Sequence, residues 1–362
     1  MEISLAHQTP QKQPWDRAFW KPVHGKEGVF AYLIVIHVLG VIGLILYPLP
    51  SLEVLGLMLL FTALGGLGTT VCYHRMLAHK TLRIDPFIEQ LLIFCAVFNG
   101  SGHPASWVAY HRLHHAVTDQ SEDISSPKQG GFWWAHLRWL YQTEPADKKR
   151  WAPELTTGIY RIWGWAETPI ILLSLFVGLL LTFGWMGFFW IGAIRLVYSL
   201  HLQCLVNSLT HLGEAKEGTD SSINVWWLGP FQLTAWGENW HKNHHTHAGS
   251  ARLGLRWYQP DIGWYFIWLL EAIGLAHSVK RPRVSSSASL CRLLQPKLVA
   301  VGHLDTMRHS SQSHVCPDCG SSAIFRVRRR GFVDWLLSFF GQRPFWCQDC
   351  NGKFHKGRTS RA

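Results

Sequence analysis

The sequence predicts an all-α membrane protein: four transmembrane helices in two hairpins, a cytoplasmic helical cap rich in histidine, and a small C-terminal module on four cysteines. Three observations carry this prediction. Long apolar runs recur in two close pairs, histidines cluster just past the runs, and two C-x-x-C pairs stand near the C-terminus. The expected organisation is a cytoplasmic tail (1–29), a membrane domain (30–277), a linker (278–314) and a zinc-ribbon-like module (315–357).

The first pair of runs is "FAYLIVIHVLGVIGLILY" from Phe30 and "VLGLMLLFTALGGLGTTV" from Val54. Each is long enough to cross roughly 30 Å of hydrocarbon as a helix. The second pair starts at Thr168 and Phe188, so spans are expected at about 30–47, 54–71, 168–185 and 188–206. The first run reads as an anchor, since 29 residues precede it and no small-residue cleavage site follows it. Both hairpin tips lack Lys and Arg, while the N-terminal tail, the middle section and everything after the fourth span are basic. The positive-inside bias then puts both termini and the middle section on the cytoplasmic side of a multi-pass membrane protein. The net charge of +11 reads as topology and contact with anionic headgroups, not as a nucleic-acid footprint. Arg195, inside the fourth span, is expected to be either a paired structural charge or close to a polar site. The apolar segments from Leu91 and Ile262 are too short to span and are expected to lie along the interface or cap the bundle.

Cys72, Cys95 and Cys204 are scattered and form no disulfide framework, in keeping with a reducing compartment. Cys316, Cys319, Cys347 and Cys350 are organised differently. Four thiolates in this pattern suit a structural zinc, and the basic stretch between the pairs argues against a rubredoxin-like iron site. Residues 279–314, rich in Ser and Arg, read as the linker.

The histidines carry the chemistry. "AYHRLHHAVTD" holds His111, His114 and His115, and "GENWHKNHHTH" repeats that spacing with His241, His244 and His245. On a helix, positions i, i+3 and i+4 share one face. Asn207 and His211 stand at i and i+4. His74 and His79 stand at i and i+5, roughly 140° apart on an undistorted helix. Either the helix frays there or the two rings serve different metals. Nine histidines exceed the roughly four ligands one zinc takes, so two first-row metals with four or five nitrogens each would consume the set. Asp119, Glu122, Asp123 and Glu238 are available to hold ring N–H groups. Solitary His37, His103, His136 and His201 read as packing or hydrogen-bonding residues.

H-x-x-x-x-H, H-x-x-H-H, N-S-x-x-H and H-x-x-H-H in this order, with these spans between them, resemble the integral-membrane fatty acyl desaturases of the stearoyl-CoA desaturase superfamily. The flanks "YHRMLAHK", "HRLHHAVTDQSED", "GFWWAHLRW", "LVNSLTHL" and "GENWHKNHH" agree, and the resemblance runs from about Phe30 to Ala276. It implies a non-haem di-iron centre in the cap, held by His74, His79, His111, His114, His115, His211, His241, His244 and His245, with Asn207 reaching an iron through water. Trp107 matches a tryptophan beside the acyl channel. Four positions depart from the pattern. Asn239 stands where glycine is more usual, Tyr110 where animal enzymes carry aspartate, and Thr143 and Glu144 where animal acyl-CoA enzymes place basic residues.

The implied reaction inserts a cis double bond, with delta-9 the expected position, into an acyl chain carried on CoA or on a membrane lipid. Unactivated C–H bonds have no usable pKa, so an oxidant derived from O₂ at a metal is required, with the protein supplying orientation and a water-excluding channel. No nucleotide-binding or haem-attachment motif is present, so electrons are expected from outside, from ferredoxin or a b-type cytochrome with its reductase. A membrane di-iron hydroxylase or ketolase is the nearest enzymatic rival, and a non-catalytic metal-handling membrane module the rival of another class. A soluble carboxylate-type desaturase is excluded, because its two E-x-x-H motifs are not here.

Overall fold

In this computed structural model the described residues are 13–282, apart from 183, 217 and 230–232, together with 315–317, 322, 324–327, 337–339, 342–347 and 353–357. The chain divides into a unit ending at Lys280 and a unit starting at Arg281.

Four helices of the first unit are long and apolar enough to cross a membrane: α1 (Glu27–Leu46), α2 (Leu52–Ala78), α5 (Gly158–Thr182) and α6 (Trp185–Thr210). Two shorter helices, α3 (Pro86–Phe98) and α4 (Pro104–Ala116), lie between α2 and α5. Two more, α7 (His241–Thr246) and α8 (Ile262–Ala272), follow α6. The spans reach further than the apolar runs suggest, α2 as far as Ala78 and α5 from as early as Gly158. Neighbouring protein replaces lipid around the α2 extension, where every residue from Gly68 to Ala78 is buried, whereas the first turn of α5, Gly158–Arg161, buries none of its residues.

Side-chain caps fix where the helices begin. Ser51 Oγ accepts from Val54 N, Asp85 from Phe87 N, His103 Nδ1 from Ala105 N and Asp261 from Trp264 N. Pro86 and Pro104 occupy the first helical positions, where a missing N–H costs nothing. His103 is thus a capping residue, one of the solitary histidines the sequence assigns to structure. α5 and α6 meet through glycines, and a Cβ on Gly178 would stand 1.9 Å from Gly187 O. Such close backbone approach drives helix association where no hydrophobic effect operates.

Arg195 in α6 is fully buried and reaches the C-terminal end of α3, donating to Asn99 Oδ1 (3.2 Å), to Ser174 Oγ and to Ile191 O (2.6 Å) over the Phe98 ring. Ser174 Oγ in turn donates to Phe98 O (2.6 Å). No carboxylate pairs with the guanidinium among the described residues, so the partly negative helix end receives it, and its role is structural. The segment from Leu91 lies within α3 and buries Leu92, Ile93, Ala96, Val97 and Phe98 against the core. A two-stranded sheet, β1 (Arg83–Ile84) antiparallel to β2 (Ala276–His277), ties the start of α3 to the end of α8.

In the second unit, β3 (Ile324–Arg326), β4 (Gln342–Cys347) and β5 (Lys353–Gly357) form an antiparallel sheet in that order. Cys316 and Cys347 are buried. Cys319 and Cys350, the other half of the expected zinc set, lie outside the described residues, as does most of the expected linker.

A candidate metal centre of two histidine groups

The first box answers the i, i+5 puzzle. From Gly68 to Ala78, α2 is a π-helix, and His79 N donates to His74 O (3.1 Å) across that wider turn. Residue i+5 then returns to the face of residue i, bringing the two rings to 5.0 Å between centroids. The helix therefore does not fray at this box, nor do the two rings point apart. They belong to one group.

Two arginines frame this turn. Arg75, buried beside His74, makes a two-pronged bond to Asp261 (2.9 and 3.1 Å) and donates to Ala251 O and Trp236 O (2.9 Å each). Arg112, one residue after His111, donates to Leu77 O (2.7 Å) and Ala78 O (3.1 Å), the last carbonyls of α2. An arginine follows the first histidine of both boxes, "YHR" twice, where i+1 turns the guanidinium off the histidine face. That signal is legible in the sequence, yet its purpose appears only here.

The nine histidines gather into two groups. His74, His79, His111, His115 and His244 form one, and His114, His211, His241 and His245 the other, each with ligand atoms within 4.8 Å of one another. In the first, Nε2 atoms face each other at 3.1 Å (His74 and His244), 2.7 Å (His79 and His111) and 2.8 Å (His115 and His244). In the second, His241 Nε2 lies 3.0 Å from that of His211 and 3.1 Å from that of His245. His115 and His245 stack at 4.5 Å, so the groups adjoin. Helix α4 serves both, sending His111 and His115 to one and His114 to the other, so the second box does not present a single front.

The Nδ1 atoms look outward. His74 Nδ1 bonds Glu238 (2.7 Å), His114 Nδ1 bonds Asp123 (2.8 Å), His211 Nδ1 bonds Asp119 (3.2 Å) and His245 Nδ1 bonds Asp220 (3.2 Å). A carboxylate on Nδ1 fixes the tautomer that leaves the Nε2 lone pair free. Asp119 sits at φ 60°, a left-handed conformation uncommon outside glycine. Ser126 Oγ (2.6 Å), Ser221 Oγ (2.7 Å) and Ser221 N (2.8 Å) hold it there. Glu122 is exposed and accepts from Ser121, so it serves no ring. Asp220 is the partner sequence reasoning misses, because nothing in "GTDSS" marks it as convergent with the boxes.

Burial first, and crowding by the other rings second, lower the pKa of His79 to about 2 and push His111, His115, His241 and His244 well down. These imidazoles are neutral at ordinary pH. Burial likewise lowers His245 to about 4 against the pull of Asp220. His114 moves the other way: burial opposes its charge, but Asp123 outweighs burial. Burial also opposes ionisation of Asp119, Asp123, Asp220 and Glu238, yet their histidine partners outweigh it and hold all four below the usual carboxylate range.

The donor set fits a metal. His114 Nε2 is buried without a hydrogen-bond partner while its Nδ1 is held by Asp123. Converging lone pairs on neutral, buried imidazoles repel one another unless a proton or a metal cation lies between them, and imidazole suits iron, zinc and copper alike. Asn207 donates to Ser125 O (2.8 Å) and Ala135 O (2.9 Å), which leaves Oδ1 as its remaining polar atom. Trp107 stacks on His111 at 4.9 Å and lies 6.0 Å from His74. His37, His201 and His136 form a hydrogen-bonded string away from both groups, ending on Ser208 Oγ.

Fold and site thus define a helical protein with four helices apolar enough to cross a membrane and two polyhistidine groups that could hold metal. The chain matches the fatty acid desaturase family model over residues 50–264. It is 37% identical over 274 residues to delta-9 acyl-lipid desaturase 2 of Arabidopsis thaliana, covering 74% of this chain and 86% of that protein. It is 38% identical over 277 residues to delta-9 acyl-lipid desaturase 1 of the same plant (75% and 88%), and 34% identical over 229 residues to sn-1 stearoyl-lipid 9-desaturase of Anabaena variabilis (62% and 82%). The chain belongs to the fatty acid desaturase family. It is an oxidoreductase that desaturates fatty acyl chains, and the family implies non-haem iron.

Proposed function

We propose that this desaturase introduces a delta-9 cis double bond into an acyl chain esterified to a membrane lipid. The observation that carries the reading is the pair of histidine groups in a chain whose relatives are named as acyl-lipid and stearoyl-lipid 9-desaturases. Lipid is preferred over CoA because Tyr110, Thr143 and Glu144 stand where animal acyl-CoA enzymes carry other, mainly basic residues. Tyr110 here accepts from Lys26 (3.2 Å) and donates to Glu144 O (3.4 Å).

His74, His79, His111, His115 and His244 would hold one iron, and His114, His211, His241 and His245 the other, with Asn207 Oδ1 reaching it through water. Bound iron supplies the O₂-derived oxidant that C–H removal demands. The chain's own residues do the rest. Glu238, Asp119, Asp123 and Asp220 orient the rings, and Trp107 lines the approach of the acyl chain beside His111. The balance is one O₂, two electrons and two protons per double bond, with two waters released. The electrons come from a separate donor, ferredoxin or a b-type cytochrome with its reductase. The four apolar helices form two hairpins with both termini and the metal centre on the cytoplasmic face, as the basic loops favour. Cys316, Cys319, Cys347 and Cys350 would close a structural zinc site, for which the burial of Cys316 and Cys347 speaks.

Expression in a desaturase-deficient host with lipid profiling tests this. A delta-9 monoene appearing first in an intact glycerolipid is expected. A hydroxylated main product, or first labelling in the acyl-CoA pool, would overturn the reading.

A further inference from the structure

Asn239 is fully buried, and neither its Oδ1 nor its Nδ2 has a hydrogen-bond partner. Its carbonyl oxygen is accounted for, since it accepts from Val225 N (2.9 Å). Burying a carboxamide without hydrogen bonds forfeits its hydration with nothing in return, so native structures satisfy such groups with protein or ordered water. Two residues on, His241 Nδ1 is also buried without a partner. It is the only ring of the four-histidine group whose Nδ1 lacks a carboxylate among the described residues. If His241 Nε2 faces a metal, its Nδ1 carries the proton and needs an acceptor. Asn239 stands two residues before His241, their Cα atoms no more than about 7.6 Å apart, a span one water can bridge where the carboxamide and the imidazole face the same side.

We propose that Asn239 is a positioning residue that holds a buried water, and that this water accepts from His241 Nδ1–H and donates to Asn239 Oδ1. Water on an amide thereby does for His241 what the aspartates do for His114, His211 and His245. The proposal rests on the reading of His241 as a metal ligand. It also accounts for a polar side chain where the family pattern more often has glycine: Asn239 substitutes for a partner this ring otherwise lacks.

The test compares Asn239→Gly with Asn239→Leu in the full-length, iron-loaded protein, measuring bound iron per chain and the visible and Mössbauer spectra of the metal. Asn239→Gly leaves room for a second water and is expected to keep iron content and spectra near wild type. Asn239→Leu fills the space with apolar atoms and is expected to lower metal affinity about tenfold. A packing role predicts the reverse order, so retained iron in Asn239→Leu with loss in Asn239→Gly overturns the proposal, as does equal behaviour of the two. A structure at a resolution that shows water serves where a variant does not fold: water bonded to Asn239 Oδ1 and His241 Nδ1 supports it, and a dry amide sinks it. His241→Ala separates the two readings. If it leaves iron unchanged, the ligand assignment has failed; if it loses iron while Asn239→Leu does not, only the Asn239 proposal has.

Discussion

The two histidine groups share a fold position and a ligand type, but they are held differently. Among the described residues the five-histidine group has one carboxylate on its rings, Glu238 on His74, and that carboxylate also faces Arg75 at 3.6 Å. The four-histidine group has three, Asp119, Asp123 and Asp220. Carboxylates on Nδ1 make imidazole a more basic ligand, so fewer rings with more carboxylates can match more rings with fewer. The local charge differs too. If each group holds a metal as proposed, three anions around four rings favour a more highly charged metal there than one partly neutralised anion does around five, and ligand number is traded against ligand basicity between the two.

The largest effects should come from the stacked pair His115 and His245, one from each group. His245→Ala leaves three rings and is expected to lose that group's metal and all measurable desaturation. His115→Ala leaves four rings and should retain more iron, by elemental analysis of purified protein. Equal loss would break the asymmetry. Next comes the frame of the five-histidine group. Asp261→Asn removes the nearer of the two carboxylates facing the fully buried Arg75 and leaves Glu238 at 3.6 Å, so the loss of stability should fall short of the about 3–5 kcal/mol of a buried charge left unpaired, and thermal unfolding should show it.

Smaller effects sharpen the carboxylate argument. Asp123→Asn, at a fully buried partner, should weaken metal binding about 10-fold to 100-fold, whereas Asp220→Asn should do much less because Asp220 is 41% exposed. Competition with a chelator of known affinity measures both. The smallest effect is expected at Glu154. Burial opposes its ionisation, but bonds from Arg112 and Lys80 win and lower its pKa to about 2. Its folded pKa is depressed, so the stabilisation is present above the ordinary glutamate range and fades as pH falls toward 2. Solvent screening keeps it below about 1 kcal/mol, and Glu154→Gln should change the unfolding midpoint little at neutral pH.

Much of this was written in the sequence. The four apolar runs and the i, i+3, i+4 boxes depend on local periodicity, and local periodicity survives folding. The division of nine rings into five and four does not. It needs the π-helical turn that brings His79 under His74, and burial of all of Gly68–Ala78 by α3 and α4 rather than any residue pattern accompanies that turn. Asp220 and Asp261 escaped notice for a similar reason, since each acts on a box distant in sequence.

Mössbauer spectroscopy of the ⁵⁷Fe-loaded protein and its Asp123→Asn variant tests the central claim most directly. Two iron components of equal area are predicted, distinct from each other, with only one of them moved in the variant. A single iron environment, or a variant in which both components move together, would contradict two differently held metal sites.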